Sequence, residues 1–401
     1  MTKKIIRTSV QTSLAKQFTI AGLALACGQT MAMNGSQLGG YGIKNAGMGG
    51  ASIALPLDAS AAANNPAGMA FVPTSVVGNL VVFKGKSNAS FAGIPPTGIF
   101  SNQLNDNTTK IAPEGGFNWV VNSQMTIGLT LSGAGAGADY GETLLPVPGH
   151  ENLKSAQKVA DVIPSISWKI NPDLAVGLGL IFSFQEFESQ GAFNQKTLAP
   201  ILGHGKETAH GVGARIGLQW NATPQLSLGA TLKPRISMSK LGDYSKDILA
   251  HSEGKVDIPA EYGLGVAWKA TPSVTLAADF LEVQYSKVKA NQDPIGPMWK
   301  DQPIWRLGAS WEVDPTWTLR GGLSRNQRQI TSDRTLQNLL SPAINNVAYT
   351  FGATMKLDPK SDISFSMEHN PSKTLNGTGD NVGTNITSKT QVIRVGYQKQ
   401  F

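Results

Sequence analysis

Six segments of this chain repeat one layout, and they constrain its fold more than any other feature. Each starts near an aromatic residue or Met355, passes through a short turn rich in Asn, Asp, Thr or Pro, and then alternates apolar with other residues. The segments are FNWVVNSQMTIGLTL, ISWKINPDLAVGLGL, LQWNATPQLSLGATL, VAWKATPSVTLAADF, ASWEVDPTWTLRGGL and ATMKLDPKSDISFSM. The chain is therefore predicted to be an array of similar supersecondary units.

The stretch LSLGATLKPRISM shows how strictly the side chains alternate. One set is Leu226, Leu228, Ala230, Leu232, Pro234, Ile236 and Met238, and the other is Ser227, Gly229, Thr231, Lys233, Arg235 and Ser237. Successive side chains of a strand point to opposite faces, so this stretch is predicted to be a strand with one apolar and one polar face. Residues 174–184, 262–269 and 347–357 follow the same pattern.

Fourteen segments of this kind can be counted along the chain. They cover residues 74–84, 114–121, 125–135, 157–170, 174–188, 210–220, 226–239, 256–269, 274–286, 303–313, 317–328, 345–357, 361–371 and 389–401. Tight turns join them in pairs, and longer loops near 85–113, 136–156, 189–209, 240–255, 287–302, 329–344 and 372–388 join one pair to the next. All short connections then lie at one end, and an even strand count puts both termini there as well.

Two architectures have repeats of this length, the β-propeller and the transmembrane β-barrel. A propeller blade divides its repeat among four short strands, whereas each repeat here contains two strands of about ten residues, which is typical of an outer-membrane barrel. Trp119, Trp168, Trp220, Trp268 and Trp311 all precede the short turns and are predicted to form an aromatic girdle at the periplasmic interface. We therefore expect an all-β fold, a 14-stranded antiparallel transmembrane β-barrel over residues 74–401.

Residues 1–32 have the features of a secretory signal peptide. Four basic residues precede the apolar run FTIAGLALAC, and the small-residue sequence TMA ends at Ala32. A lipoprotein signal modified at Cys27 is the weaker alternative, because Ala24 stands where Leu is expected. Removing the signal lowers the formal net charge from +7 to +3, so no nucleic-acid surface is predicted. No later run of 18 apolar residues occurs, which excludes a helical membrane protein.

Residues 33–73 precede the first predicted strand and are rich in Gly and Ala, which suits a compact plug. Their sequence GYGIKNAGMGGASIALPLDASAAANNPAGMA resembles the N-terminal hatch of the FadL-type hydrophobic-compound channels, which include long-chain fatty acid transporters and toluene/xylene uptake proteins. Asn65, Pro66 and Ala67 match the family's hatch motif, and residues 58–60 match what often precedes it. Outside residues 40–70 the resemblance is one of architecture.

The resemblance implies a mechanism of passive uptake. Extracellular loops catch an apolar ligand, the ligand enters the barrel, the periplasmic-side hatch that plugs the lumen shifts, and the ligand leaves sideways into the membrane beside the third strand. That predicted strand ends LSGAGAGADYGE, where Gly133, Gly135 and Gly137 match the expected lateral opening by location and not by a shared motif. The alternative is a flexible strand end.

Apolar residues in the predicted outer loops are candidates for a ligand-capture surface. They occur in TLLPVPG, TLAPILG, LQNLLSPAI and PMW, and the candidates are Leu144, Leu145, Ile201, Leu202, Trp299, Leu339 and Leu340. The alternative is that these loops pack on one another and cap the barrel.

Several basic residues are predicted on the lumen face and could pair with a ligand carboxylate. The candidates are Arg215, Arg306, Arg320 and Arg394. Acidic residues share that face, so ion pairs within the lumen are the alternative; these acids are Glu261, Asp279, Glu312 and Glu368. Long-chain fatty acids and aromatic hydrocarbons therefore both remain open as substrates.

Two other function classes are possible for an outer-membrane barrel, an enzyme acting on lipids and a general diffusion porin. The chain has no GxSxG, and its five His residues are scattered, with His204 and His210 spaced too loosely to indicate a metal site. We expect no catalytic activity, metal or cofactor. The hatch argues against an open porin. We expect a monomer among the lipids of a Gram-negative outer membrane, assembled by the barrel assembly machinery through the C-terminal Phe401.

Overall fold

The computed structural model describes residues 39–93, 98 and 100–401, so the predicted signal peptide lies outside the described residues. Within them, fourteen antiparallel strands close into a barrel. With two short strands outside the barrel, the described strands are β1 (Ser75–Phe91), β2 (Asn102–Val120), β3 (Met125–Thr143), β4 (Asn152–Asn171), β5 (Leu174–Gln190), β6 (Ala192–Phe193), β7 (Pro200–Ile201), β8 (Glu207–Asn221), β9 (Leu226–Lys233), β10 (Glu261–Lys269), β11 (Val274–Val283), β12 (Gln302–Glu312), β13 (Trp317–Asn326), β14 (Val347–Asp358), β15 (Ser361–Leu375) and β16 (Asn385–Gln400). Strands β6 and β7 form a separate two-stranded sheet in the loop after β5. The predicted fold class is confirmed.

The barrel closes where the first strand pairs with the last. The register of β1 on β16 runs without a break from Ser75 opposite Gln400 to Ser90 opposite Asn385. Just beyond it, the Phe401 N–H donates to the Thr74 carbonyl at 3.0 Å. The beginning and the end of the barrel therefore lie side by side at the end with the short turns, as predicted.

Along the wall strands, an exposed apolar outer face alternates with a buried inner face. In β9, Leu232 is exposed, whereas Thr231 and Lys233 on either side of it are buried. In β5, Val176, Leu178, Leu180 and Phe182 are exposed, and the residues between them, Gly177, Gly179 and Ile181, are more buried and are small or apolar. The outer face therefore offers apolar side chains to lipid, while the lumen holds the polar ones.

The five Trp residues predicted to form a girdle are all exposed on the outer surface at the strand ends beside the short turns. Trp317, directly after the turn that follows β12, is exposed at the same level. An indole in this position buries its ring at the membrane interface and keeps its N–H accessible to water. The ring marks the periplasmic edge of the apolar belt.

The barrel wall is taller on the side formed by β1–β5 than the sequence pattern predicts. These five strands have 17 to 20 residues, whereas β9, β10 and β11 have 8 to 10. Much of the predicted loops 85–113 and 136–156 is therefore strand. The alternation was hidden because the outward side chains become polar there, which removes the contrast between the two faces.

Strand β9 is shorter than predicted and ends at Lys233 instead of residue 239. Pro234 follows and cannot donate a ladder hydrogen bond, which stops the strand. The chain then turns inward, so Ile236 and Met238, expected on the lipid side, are buried in an interior cluster. Arg235, expected in the lumen, is exposed.

The described part of the hatch, residues 39–73, fills the periplasmic half of the lumen. It contains one short helix, α1 (Ile43–Ala46), and two 3-10 turns, Ala61–Ala63 and Pro66–Phe71, joined by irregular backbone. Nearly every one of its side chains is buried. No helix in the described residues is both long and apolar enough to span a membrane.

The long connections at the other end carry short 3-10 turns. These are Tyr244–Lys246, Ala250–Ser252, Tyr285–Lys287, Lys289–Gln292, Ser332–Arg334, Leu336–Asn338 and Gly379–Asn381. Apolar residues of these turns such as Tyr285 and Leu336 pack into an outer cluster over the barrel mouth, around Leu104, Tyr140 and Trp299, whereas Tyr244 packs into a second cluster with Ile236 and Met238. The lumen is therefore covered by loops outside and by the hatch inside.

The apolar belt makes a depth-dependent prediction for stability. Leu180→Arg, in the middle of the β5 belt, should lower the free energy of unfolding by about 2–4 kcal/mol, because a charge there must be taken from lipid. Val176→Arg, near the Trp girdle on the same strand, should cost only about 0–1 kcal/mol. Reversible urea unfolding in lipid vesicles measures both, and equal costs would contradict the placement of the belt.

Candidate functional site

Asn65 connects two parts of the hatch to the barrel wall. Its Nδ2 donates to the Ile53 carbonyl at 2.8 Å and to the Leu218 carbonyl of β8 at 3.0 Å, and its Oδ1 accepts from the Ala67 N–H at 3.1 Å. Pro66 occupies the first position of the following 3-10 turn, where its missing N–H leaves no partner unsatisfied. Asn65 thus joins two stretches of the hatch to β8, and its part in gating stays a prediction.

Glycines in the wall let the hatch backbone approach the strands closely. A Cβ at Gly217 of β8 would overlap the Asn65 side chain, and one at Gly177 of β5 would overlap the backbone of Pro66 and Ala67. Further wall glycines lie against hatch residues in the same way; they are Gly116, Gly128, Gly229, Gly263, Gly265, Gly308, Gly322 and Gly352. Sequence reasoning missed this set, although several of them recur just after the turn in the repeats.

Carboxylates of the wall also hold the hatch. Asp362 lies 2.7 Å from the Lys44 ammonium of α1. Asp279 of β11 accepts from the N–H groups of Ser52 and Ile53 at 2.7 and 3.0 Å. Glu114 of β2 accepts from the Gly42 N–H. Hydrogen bonds to charged acceptors are stronger than neutral ones, so these contacts tie the hatch to widely separated strands.

Within the hatch itself, Asp58 is buried and lies just before the NNPA sequence. Its carboxylate accepts from the Ser60 N–H at 2.8 Å and starts the turn that leads to Asn65. Burial raises the pKa of Asp58, and the nearby Lys44 ammonium opposes that shift. The segment before Asn65 is thus fixed by local hydrogen bonding as well as by the wall.

The four predicted carboxylate partners are buried and all have contacts within the protein. Arg215 forms a 2.6 Å ion pair with Glu261, Arg306 donates to the Gly50 carbonyl of the hatch at 3.3 Å, and Arg320 donates to Thr354 at 2.6 Å. The guanidinium of Arg394 lies 4.0 Å from Glu114 and 3.9 Å from Glu368. Of the four acids predicted to lie on the same lumen face as these arginines, Glu261, Asp279 and Glu368 are buried. Glu312 is exposed at the end of β12.

An inner cavity extends from the outer loops to the hatch. Trp299 lines it from the loops, Tyr41 from the hatch and Gly135 from β3. Val159, Val256, Ile258, Pro259 and Tyr285 supply further apolar surface, and Gln157, Asp161, Lys233, Asp257 and Asn291 supply polar groups. The structure thus brings the predicted residues Trp299 and Gly135 to one cavity that also touches the hatch.

The barrel wall is interrupted between β2 and β3. The described register joins these strands only from Gly115 opposite Leu131 to Val120 opposite Thr126. Both strands continue outward beyond that point, β2 paired with β1 and β3 paired with β4. At the outer end the Asn102 Nδ2 donates to the Thr143 carbonyl at 3.0 Å. The interruption is therefore a window closed above and below.

The three predicted glycines Gly133, Gly135 and Gly137 all lie on the β3 edge of this window. Gly137 has a φ of 151°, and a Cβ there would meet the Ser155 carbonyl, so only glycine is accommodated. A second cavity lies in the lumen beside the two edges. It is lined by Asp106 of β2, by Ala136 of β3, by residues of β1 and β16, and by loop residues 341–343 and 345. The window and the inner cavity therefore meet along β3.

Most of the predicted capture residues are buried. Leu144, Leu145, Trp299 and Leu339 belong to the outer cluster, with Leu340 packed against it. The Trp299 indole donates to Asn338 at 2.6 Å and the Tyr140 hydroxyl donates to the Leu339 carbonyl at 2.9 Å. This arrangement fits the alternative, loops that cap the barrel. Ile201 is half-buried in β7, and Leu202 is exposed.

The two histidines considered for a metal site have separate partners. His204 Nε2 lies 2.6 Å from Asp247, and the Nδ1 of His210 lies 3.4 Å from the Ser239 hydroxyl. Among the described residues, no group of three or more His, Cys, Asp and Glu side chains is arranged to hold a metal ion.

A family model described as "Outer membrane protein transport protein (OMPP1/FadL/TodX)" matches residues 19–401. No curated protein sequence matches the chain. Among solved structures, a Pseudomonas aeruginosa FadL homologue is 17% identical with a TM-score of 0.68, over 92% of this chain and 100% of that one. The P. putida toluene transporter TodX is 17% identical with a TM-score of 0.68, over 91% and 99%. The Ralstonia pickettii toluene transporter TbuX is 17% identical with a TM-score of 0.65, over 91% and 99%.

The close contacts at wall glycines predict the effect of a side chain that separates the hatch from the barrel wall. Gly217→Val should weaken hatch docking by about 1–3 kcal/mol, because the added side chain overlaps Asn65 and Pro66. Gly78→Val is the matched control, since a Cβ at Gly78 meets no atom within 4 Å. Liposome swelling with small sugars should be faster for the first variant only.

Heat-modifiable migration on gels confirms that both variants form the barrel. Equal swelling by Gly217→Val and Gly78→Val, with both barrels folded, would contradict the close docking of the hatch at β8. Rapid swelling by the unaltered protein would favour a general diffusion porin.

Proposed function

Because this chain belongs to the FadL/TodX family of outer-membrane transport proteins, we propose that it takes up hydrophobic small molecules by passive diffusion and releases them sideways into the membrane. The observation that carries the proposal is the window between β2 and β3, which adjoins cavities inside a lumen plugged by the hatch. A molecule that enters from the loops can leave through the wall without crossing the hatch.

Lateral release follows from the transfer free energy of apolar groups. Each buried CH₂ favours an apolar environment over water by about 0.8 kcal/mol, so an alkyl or aromatic ligand prefers the bilayer to a periplasmic exit. No energy source is then required, since the ligand moves down its own gradient. The protein provides a path past the polar outer surface of the membrane.

The substrate class is proposed as long-chain fatty acids or aromatic hydrocarbons. The solved toluene transporters carry their substrate in their names, and the inner cavity of this chain has the aromatic residues Tyr285 and Trp299 in edge contact at 5.1 Å. The lumen arginines could receive a carboxylate only by exchanging contacts they already make. We propose that Arg215, Arg306, Arg320 and Arg394 chiefly hold the lumen and the hatch together.

We propose a monomer that has no enzymatic activity and requires no cofactor. Phe401, exposed at the end of β16, serves as the recognition signal for the barrel assembly machinery.

Native mass spectrometry of gently purified protein tests the substrate: a retained fatty acid or aromatic supports uptake, and a bound phospholipid with lipase activity would favour the enzyme alternative.

The hatch is proposed to move through its Asn65 contacts. Asn65→Ala removes three hydrogen bonds, each worth about 0.5–1.5 kcal/mol, and should raise the initial rate of ligand uptake by freeing the hatch. Asn64→Ala is the control, because the Asn64 side chain bonds only to the backbone of Tyr41 within the hatch. Unchanged uptake in a folded Asn65→Ala barrel would oppose a gating role, and lost assembly would make the segment structural only.

The window can be blocked chemically. The chain has one cysteine, Cys27, in the predicted signal, so Ala136→Cys places a single thiol beside the window for a bulky maleimide. Labelling should reduce uptake of a radiolabelled ligand about tenfold or more, an increase in barrier of about 1.4 kcal/mol or more. Gly321→Cys, on the outer face of β13, is the control. Equal uptake after labelling at both positions would contradict lateral release.

A further inference from the structure

Three lysines lie together on the outer surface where the apolar belt of β1 and β16 ends. Lys84 and Lys86 follow the lipid-facing Val82 on β1, and Lys389 lies on β16 directly opposite Lys86. All three side chains are exposed. Like charges in directly opposed positions of a sheet repel each other, so this arrangement is unfavourable unless an anion lies between them.

Within the described residues, none of the three lysines, here called the lysine patch, forms an ion pair. The outward neighbours on β2 are Thr109 opposite Lys84 and Asn107 opposite Lys86, and Gln391 lies opposite Lys84 on β16. These are neutral hydrogen-bonding side chains. The connection from β1 to β2, residues 92–101, contains no acidic residue in its sequence.

Lysines in the corresponding place on β4 have carboxylate partners, unlike the lysine patch. Lys154 and Lys158 also face outward above the apolar belt, but Glu188 and Glu186 of β5 lie 3.0 and 2.7 Å from their ammonium groups. The protein thus supplies its own counterions on one sector of the wall and leaves them out on another. The positive charge of the lysine patch is therefore available to a group from outside the chain.

We infer that the lysine patch binds the phosphate groups of a phosphorylated glycolipid in the outer leaflet. A phosphate oxygen accepts charge-assisted hydrogen bonds from ammonium groups, and basic clusters beside an apolar surface attract anionic lipid head groups. Val82, Ile111 and Ile393 lie directly below the patch, where the acyl chains of the same lipid would contact the wall. Asn107, Thr109 and Gln391 can hydrogen-bond sugar hydroxyls.

The test measures binding of a bis-phosphorylated glucosamine-disaccharide lipid, in detergent micelles, to the full-length purified protein. A variant with Lys84→Gln, Lys86→Gln and Lys389→Gln should lose affinity by about fivefold for each lysine removed. Affinity of the unaltered protein should fall steeply with added salt. The dephosphorylated lipid should bind the unaltered protein no better than it binds the triple variant.

The matched control is Lys154→Gln with Lys158→Gln, which removes outward lysines that already have carboxylate partners. It should bind the phosphorylated lipid like the unaltered protein. The inference is overturned if the triple variant keeps full affinity, if the control loses as much as the triple variant, or if the dephosphorylated lipid binds equally well. Heat-modifiable migration verifies that each variant is folded, and uptake of the hydrophobic ligand is measured separately, so the two proposals fail independently.

Discussion

Backbone hydrogen bonding in lipid is the constraint on which the rest of this structure depends. A peptide group that faces hydrocarbon has no water to bond with, so each strand must pair on both sides and the last strand must return to the first. The unbroken register between β1 and β16 meets that demand. It leaves a wide lumen, which the hatch and the loops then fill.

Filling the lumen requires the two parts of the chain to fit each other closely. The hatch is largely irregular, and its backbone groups need partners once they are buried. The wall supplies them through Asp279, Glu114 and Gln219, and wall glycines such as Gly217 remove the side chains that would hold the hatch away. The buried charges of the lumen therefore act both between the hatch and the wall, as in Lys44 with Asp362, and within the wall, as in Arg215 with Glu261.

Much of the fold was readable from the sequence because a lipid-facing strand shows its period directly. Alternation and repeated turns identified all fourteen strands, and Trp residues marked the periplasmic edge. The pattern failed where outward and inward side chains no longer differ in polarity. Above the membrane, β1 and β3 continue with polar outward residues, and after Pro234 the chain turns inward. The site was less predictable, because burial of Leu144 and Leu339 depends on loops distant in sequence. The wall glycines and Asn65 could be noted in the sequence, but the residues that they contact on other segments could not be predicted from it.

The window between β2 and β3 has a consequence for the solvent inside the wall. Along its two edges, alternate backbone donors and acceptors of β2 and β3 face a space instead of a neighbouring strand. Hydrocarbon cannot satisfy these groups, so water must wet the rims. Only the inner end of the opening, near Gly115 and Leu131, adjoins the apolar belt, and the rest lies among polar outward residues, so the opening connects hydrated rims above to hydrocarbon below.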